Sequence, residues 1–147
     1  MTSVPKYSAM EIERRWLVDL SRVGDLDPGS SRRIEDLYIE GSRLRLRKVT
    51  EPDGRCVFKF GKKYGKLSTA SEPVTNLYLT EEEHDRLSRL PGSATLKRRY
   101  AVAGGVLDIY ERSDVAVFEI EFDDEASAWS YRPPHFVTQE ITSESFR

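Results

Sequence analysis

Arg43-Leu44-Arg45-Leu46-Arg47 alternates a guanidinium with a leucine at every step. A period of two puts the arginines on one face of an extended strand and the leucines on the other, whereas a helix would scatter them around its axis. The stretch therefore reads as a β-strand with one ionic and one apolar face. The same pattern recurs on both sides of it. Upstream, Met10, Ile12, Trp16, Val18 and Leu20 alternate with Glu11, Glu13, Arg15 and Asp19, and Arg14 is the exception on the apolar side. Downstream, the turn Pro52-Asp53-Gly54 leads into Cys56, Phe58 and Phe60 opposite Val57 and Lys59. That is a hairpin, with Cys56 read as a small core residue.

Further strands are expected at residues 32–40, 74–79 and 136–141. A meander is expected at 95–103, 106–112 and 115–123, turning at Gly104-Gly105 and Ser113-Asp114. The Gly-, Lys- and Ser-rich residues 61–71 read as a mobile basic loop. Thr80-Glu81-Glu82-Glu83 forms a capping box that starts a helix running to about residue 90, with Leu87 and Leu90 toward the core. A second short helix is expected over 125–130, before Pro133-Pro134. The fold class is mainly β with a few helices (α+β), a largely antiparallel barrel or curled sheet in one domain, 1–147. Its outward set is apolar and its inward set ionic.

Bulk charge names no partner: 23 Lys+Arg stand against 25 Asp+Glu, a net charge of -2. Neither nucleic acid nor a membrane is expected on that basis. The single cysteine, Cys56, excludes an internal disulfide framework and a zinc-thiolate site. There is no apolar signal region and no membrane-length apolar run, and the cytoplasm is the default expectation. A homodimer is left open. His84 and His135 read as surface residues, and no nucleotide P-loop or nucleophile elbow is present.

Arrangement says more than composition. Arg43, Arg45, Lys59, Lys97 and Arg99, with Arg47 as a sixth, could converge on a row of phosphates. Guanidinium forks and point-charge lysines suit such a ligand. Glu11, Glu13, Glu119 and Glu121 supply hard oxygens suited to magnesium or manganese, which bridge to phosphate oxygens. Two unit charges about 4 Å apart interact by roughly 4 kcal/mol at an effective dielectric near 20, so like charges crowded inside a barrel require partners of the other sign. The competing reading is an open sheet whose charged face is merely solvated.

The ordered set Glu11-Ile12-Glu13-Arg14-Arg15, Arg43-Leu44-Arg45, Lys59, Lys97-Arg98-Arg99-Tyr100, Asp108, Glu119-Ile120-Glu121 and Gln139-Glu140-Ile141-Thr142 resembles the CYTH superfamily of triphosphate tunnel metalloenzymes over nearly the whole chain. The resemblance implies an eight-stranded antiparallel tunnel with a charged lumen, which binds a triphosphate and one or two divalent cations, Mg2+ or Mn2+. It implies a metal-dependent triphosphatase, with inorganic tripolyphosphate first among substrates. The alternatives are a class IV-type adenylate cyclase and a catalytically weakened triphosphate or polyphosphate-binding protein. Carried over residue by residue, Glu11, Glu13, Glu119, Glu121 and Glu140 would hold metal, with Asp108 on the metal side. Arg15, Arg43, Arg45, Lys59, Lys97 and Arg99 would hold phosphate, and Glu13, Arg15 and Glu121 would be catalytic. Two departures stand out. The signature lysine is Arg15 here, and a guanidinium with a pKa above roughly 12 cannot act as a base at neutral pH. The acidic strand expected after the central lysine is the acid-poor Glu72-Pro73-Val74-Thr75-Asn76.

Overall fold

A computed structural model describes residues 4–144. Its strands are β1 (Ala9–Val18), β2 (Arg32–Ile39), β3 (Leu44–Thr50), β4 (Cys56–Lys63), β5 (Ser71–Leu79), β6 (Gly92–Val102), β7 (Gly105–Tyr110), β8 (Ala116–Glu121) and β9 (Val137–Glu140). The helices are α1 (Glu81–Leu87) and α2 (Glu125–Ser130), with single 3-10 turns at Leu20–Arg22 and Pro28–Ser30.

Every strand pairing is antiparallel. Eight strands run in the order β5-β4-β3-β2-β6-β7-β8-β1, and β1 pairs back onto β5 to close the barrel. Closure leaves no free edge on the ring and turns one sheet face wholly inward. Strand β1 shares its second edge between two partners: residues Ala9 to Ile12 take β5, and Trp16 and Val18 take β9, which lies outside the ring.

The register carries the alternation around the wall. Arg45 lies opposite Tyr38 and Gly61, Arg47 opposite Asp36 and Lys59, Arg99 opposite Asp108, and Glu13 opposite Glu121. A slip of one residue would turn every one of these side chains outward, so the apolar set on the other face fixes the register. That set packs outside the wall. Trp16, Phe118 and Phe136 form one cluster with Val23, Tyr131 and Val137; Tyr100, Leu107 and Ala116 form another with Val23, Leu26 and Ile109. The β1–β2 connection and the segment after α2 cover these clusters. Leu107 and Phe118 are completely buried, and each such side chain stabilises by roughly 1.5–3 kcal/mol.

Several local expectations need correction. The inward face is not ionic throughout: Ile34, Val49 and Val117 share it and are buried, so part of the barrel interior is packed with apolar side chains. Residues 61–71 are not all loop, because β4 continues to Lys63 and β5 begins at Ser71. The capping box of α1 is present, with the Glu83 amide donating to Thr80 Oγ1 at 3.1 Å and the Thr80 amide to Glu83 Oε1 at 2.8 Å. The helix nevertheless stops at Leu87. Strand β6 starts as early as Gly92, opposite Ile39, at a spot where a Cβ would collide with the Tyr38 carbonyl, and Leu90 is left exposed. Cys56 is exposed at the start of β4.

Candidate functional site

The inward ionic face encloses a cavity of about 390 Å³. Its walls divide by charge. Glu11 and Glu13 come from β1 and Glu121 from β8, and these three can each present a carboxylate oxygen within 4.8 Å of the others. Strands β3 and β6 supply Arg45, Arg47, Lys97 and Arg99 to the same cavity, and Arg43 joins them from just before β3.

Two acids expected to bind metal do something else. Asp108 is completely buried and accepts from Arg99 Nε at 2.7 Å and Nη2 at 2.8 Å, with Lys97 Nζ at 2.8 Å. Burial would push its carboxyl up, yet the Arg99 hydrogen bonds and the Lys97 charge hold it below its ordinary value. Asp108 thus fixes two cations. Glu140 lies on the outer surface. Its strand pairs with Trp16, which faces outward, so Glu140 faces outward too, and Arg14 takes it with bonds of 2.8 and 2.9 Å. Arg14 also donates to the carbonyls of Ala128 and Tyr131 and stacks over Trp16 and Trp129. That accounts for the one charged residue on the apolar side of β1.

All the remaining expected residues except Lys59 line the cavity, with differences of detail. Arg47 is held by Asp36 at 2.7 and 2.8 Å. Arg45 is half-buried beside Gly61, where an added Cβ would run into Asn76 Oδ1, and its Nε has no hydrogen-bond partner. Burial and the neighbouring Arg47 charge both depress its pKa, against the pull of Asp36. Lys97 is likewise depressed by burial, against the pull of Asp108. Arg43 lines the cavity beside Gly65. Glu119 faces inward and leans toward Arg99 at 3.9 Å. Lys59 stands apart from the cavity lining, with its ammonium 5.5 Å from the ring centroid of the exposed Tyr78. Arg15 is buried, its Nε 3.8 Å from Glu13 Oε1 and without a hydrogen bond, and its Nη2 donates to the Glu144 carbonyl. His84 is half-buried and stacks on Phe58, and the exposed His135 meets the Arg22 carbonyl.

Lys63, Lys66, Glu72, Tyr38, Asn76 and Tyr110 also line the cavity, and sequence reasoning did not assign them. For Lys63 the signal existed, since it continues the parity of Lys59 and Gly61 along β4. Reading Gly61 as a loop start hid it. Glu72 lies directly opposite Glu11 and accepts from the Gly65 amide at 2.9 Å, so the acid-poor strand keeps one inward carboxylate.

Eight antiparallel strands closed around a charged cavity define a tunnel fold. The chain shares that fold with the inorganic triphosphatase NE1496. The crystal structure of that protein matches at a TM-score of 0.54 and 21% identity, covering 98% of this chain and 89% of that one. The crystal structure of the hypothetical protein NE1496 matches at a TM-score of 0.54 and 22% identity, covering 91% of this chain and 90% of that one. At such identities the likeness concerns architecture, and the architecture is the one implied by the CYTH-type motifs. No family model and no curated protein matches the chain.

Proposed function

We propose that this protein is a metal-dependent hydrolase of a triphosphate, with inorganic tripolyphosphate as the first substrate to test. The observation that carries the reading is the meeting, inside one cavity, of a carboxylate trio with a cationic row whose Arg45 Nε has no hydrogen-bond partner. An anion with many oxygens satisfies the row, and divalent cations reconcile that anion with the carboxylates.

The residues present fit magnesium or manganese. Glu11, Glu13 and Glu121 offer only oxygen donors, and the cationic wall beside them leaves further coordination positions to water and phosphate. When bound, the ion would polarise the phosphoryl group and acidify a coordinated water. The chain's own part is positional. Asp108 and Asp36 lock Arg99, Lys97 and Arg47 at fixed angles, and Arg45 lines the cavity beside Gly61. A pre-aimed set of cations stabilises charge that develops on transferring phosphoryl oxygens without reorganising during reaction. Arg15 binds phosphate and does not act as a base.

Phosphate release from tripolyphosphate with Mg2+ or Mn2+, abolished by Glu121→Gln and by Arg45→Ala, is the expected result. No release from any triphosphate in a panel assayed with each metal would refute hydrolysis. A second reading, triphosphate binding without turnover, is favoured by the anchoring of Arg15 on the Glu144 carbonyl where the tunnel enzymes carry a lysine. Calorimetry showing tight binding in the absence of phosphate release selects it.

A further inference from the structure

The carboxylate trio is not left without a cation. The Lys63 ammonium lies 3.1 Å from Glu11 Oε1 and 3.9 Å from Glu13 Oε1, within the group of oxygens that could hold a metal. We propose that Lys63 is a resident counter-ion of the acidic end of the tunnel, which a divalent cation displaces and which then turns to the phosphate chain. The inference rests on the metal-dependent reading of the site and adds a positioning residue to it.

Three features single out Lys63 among the cations nearby. It is the only one of the described residues within ion-pair distance of both Glu11 and Glu13. Its side chain is 45% exposed, at the end of β4 where the chain leaves the barrel wall, so it has space to move. Arg15, the other cation beside Glu13, is only 9% exposed in its side chain and is tied to the Glu144 carbonyl, so it cannot leave. A lysine is also the right device for the task, because a compact ammonium on a four-carbon stem reorients by bond rotation, whereas a guanidinium needs a matching planar partner. A divalent cation seated on these carboxylates repels an ammonium held against them. Metal entry therefore ejects Lys63 into a cavity whose opposite wall binds phosphate. Affinity for metal and affinity for triphosphate become linked, and linkage is reciprocal.

The test uses the full chain, freed of metal, titrated calorimetrically with Mn2+ alone. Removing the competitor with Lys63→Met should tighten Mn2+ binding about fivefold, a modest effect for a half-exposed pair. With tripolyphosphate already bound, Lys63 has left the carboxylates, and the advantage of the variant should vanish. In the wild type, Mn2+ should also speed acylation of Lys63 by an amine-reactive reagent, read by peptide mass spectrometry. Equal Mn2+ affinity in the two proteins, or weaker binding by Lys63→Met, overturns this proposal and leaves the metal-dependent reading intact. No Mn2+ binding by either protein overturns both.

Discussion

Replacing Glu13 with glutamine should make the metal-free protein more stable at alkaline pH, although it removes a charge from the site. Glu13 is 5% exposed. Burial first, then the charges of Glu119 and Glu11, push its carboxyl from an ordinary value of 4.5 up to about 7, against the opposing pull of Lys63 and Arg15. A carboxyl with a raised pKa binds its proton more tightly in the folded than in the unfolded chain, so its contribution to stability is full below about pH 4.5 and is lost as pH rises toward 7. Each pH unit of displacement is worth about 1.4 kcal/mol, and the loss across that window is about 3 kcal/mol. Glutamine cannot ionise and escapes it. Urea unfolding with a chelator present, at intervals from pH 4.5 to 8, should show the two proteins nearly equal at the acid end. Glu13→Gln should be ahead by about 3 kcal/mol at pH 8, or on the order of 6–12 °C in Tm for a domain of this size. Added Mn2+ should stabilise the wild type at pH 8 more than the variant. Parallel pH profiles in chelator, or a less stable variant at pH 8, would refute the account of Glu13 as an acid strained by its neighbours.

Asp108→Asn leaves Lys97 and Arg99 buried with a neutral partner; truncating a buried ion pair costs about 3–5 kcal/mol, and tripolyphosphate affinity should fall with it. Chemical denaturation and calorimetry check this, and affinity equal to the wild type would show that the pair does not aim the cations. Glu140→Gln should lower stability by about 1.5–3 kcal/mol, the range for hydrogen bonds to a charged group, while tripolyphosphate and Mn2+ affinities stay unchanged. A drop in metal affinity would return Glu140 to the site.

What the sequence by itself determined is the parity of the chain. The alternation in 43–47, and its echoes at 11–15 and 119–121, settle which side chains share a face, because the pleat of a strand leaves no other choice. The same holds for the start of α1, since a capping box is a local bond pattern. Parity also gave the carboxylate trio and most of the cationic row. It could not say which side chains meet across strands. Asp108 and Glu140 are both acids on strands, and nothing local separates them from Glu13. Only the register of β6 on β7 puts Asp108 between Arg99 and Lys97, and only the placement of β9 on the outer edge of β1 gives Glu140 to Arg14. Lys63 and Glu72 were hidden for a related reason: glycine and lysine favour loops locally, and pairing of β4 with β5 as far as Val74, and of β5 with β1, overrides that preference. Contacts between residues far apart in the chain depend on barrel closure, which is a property of the whole sheet and of no single stretch of it.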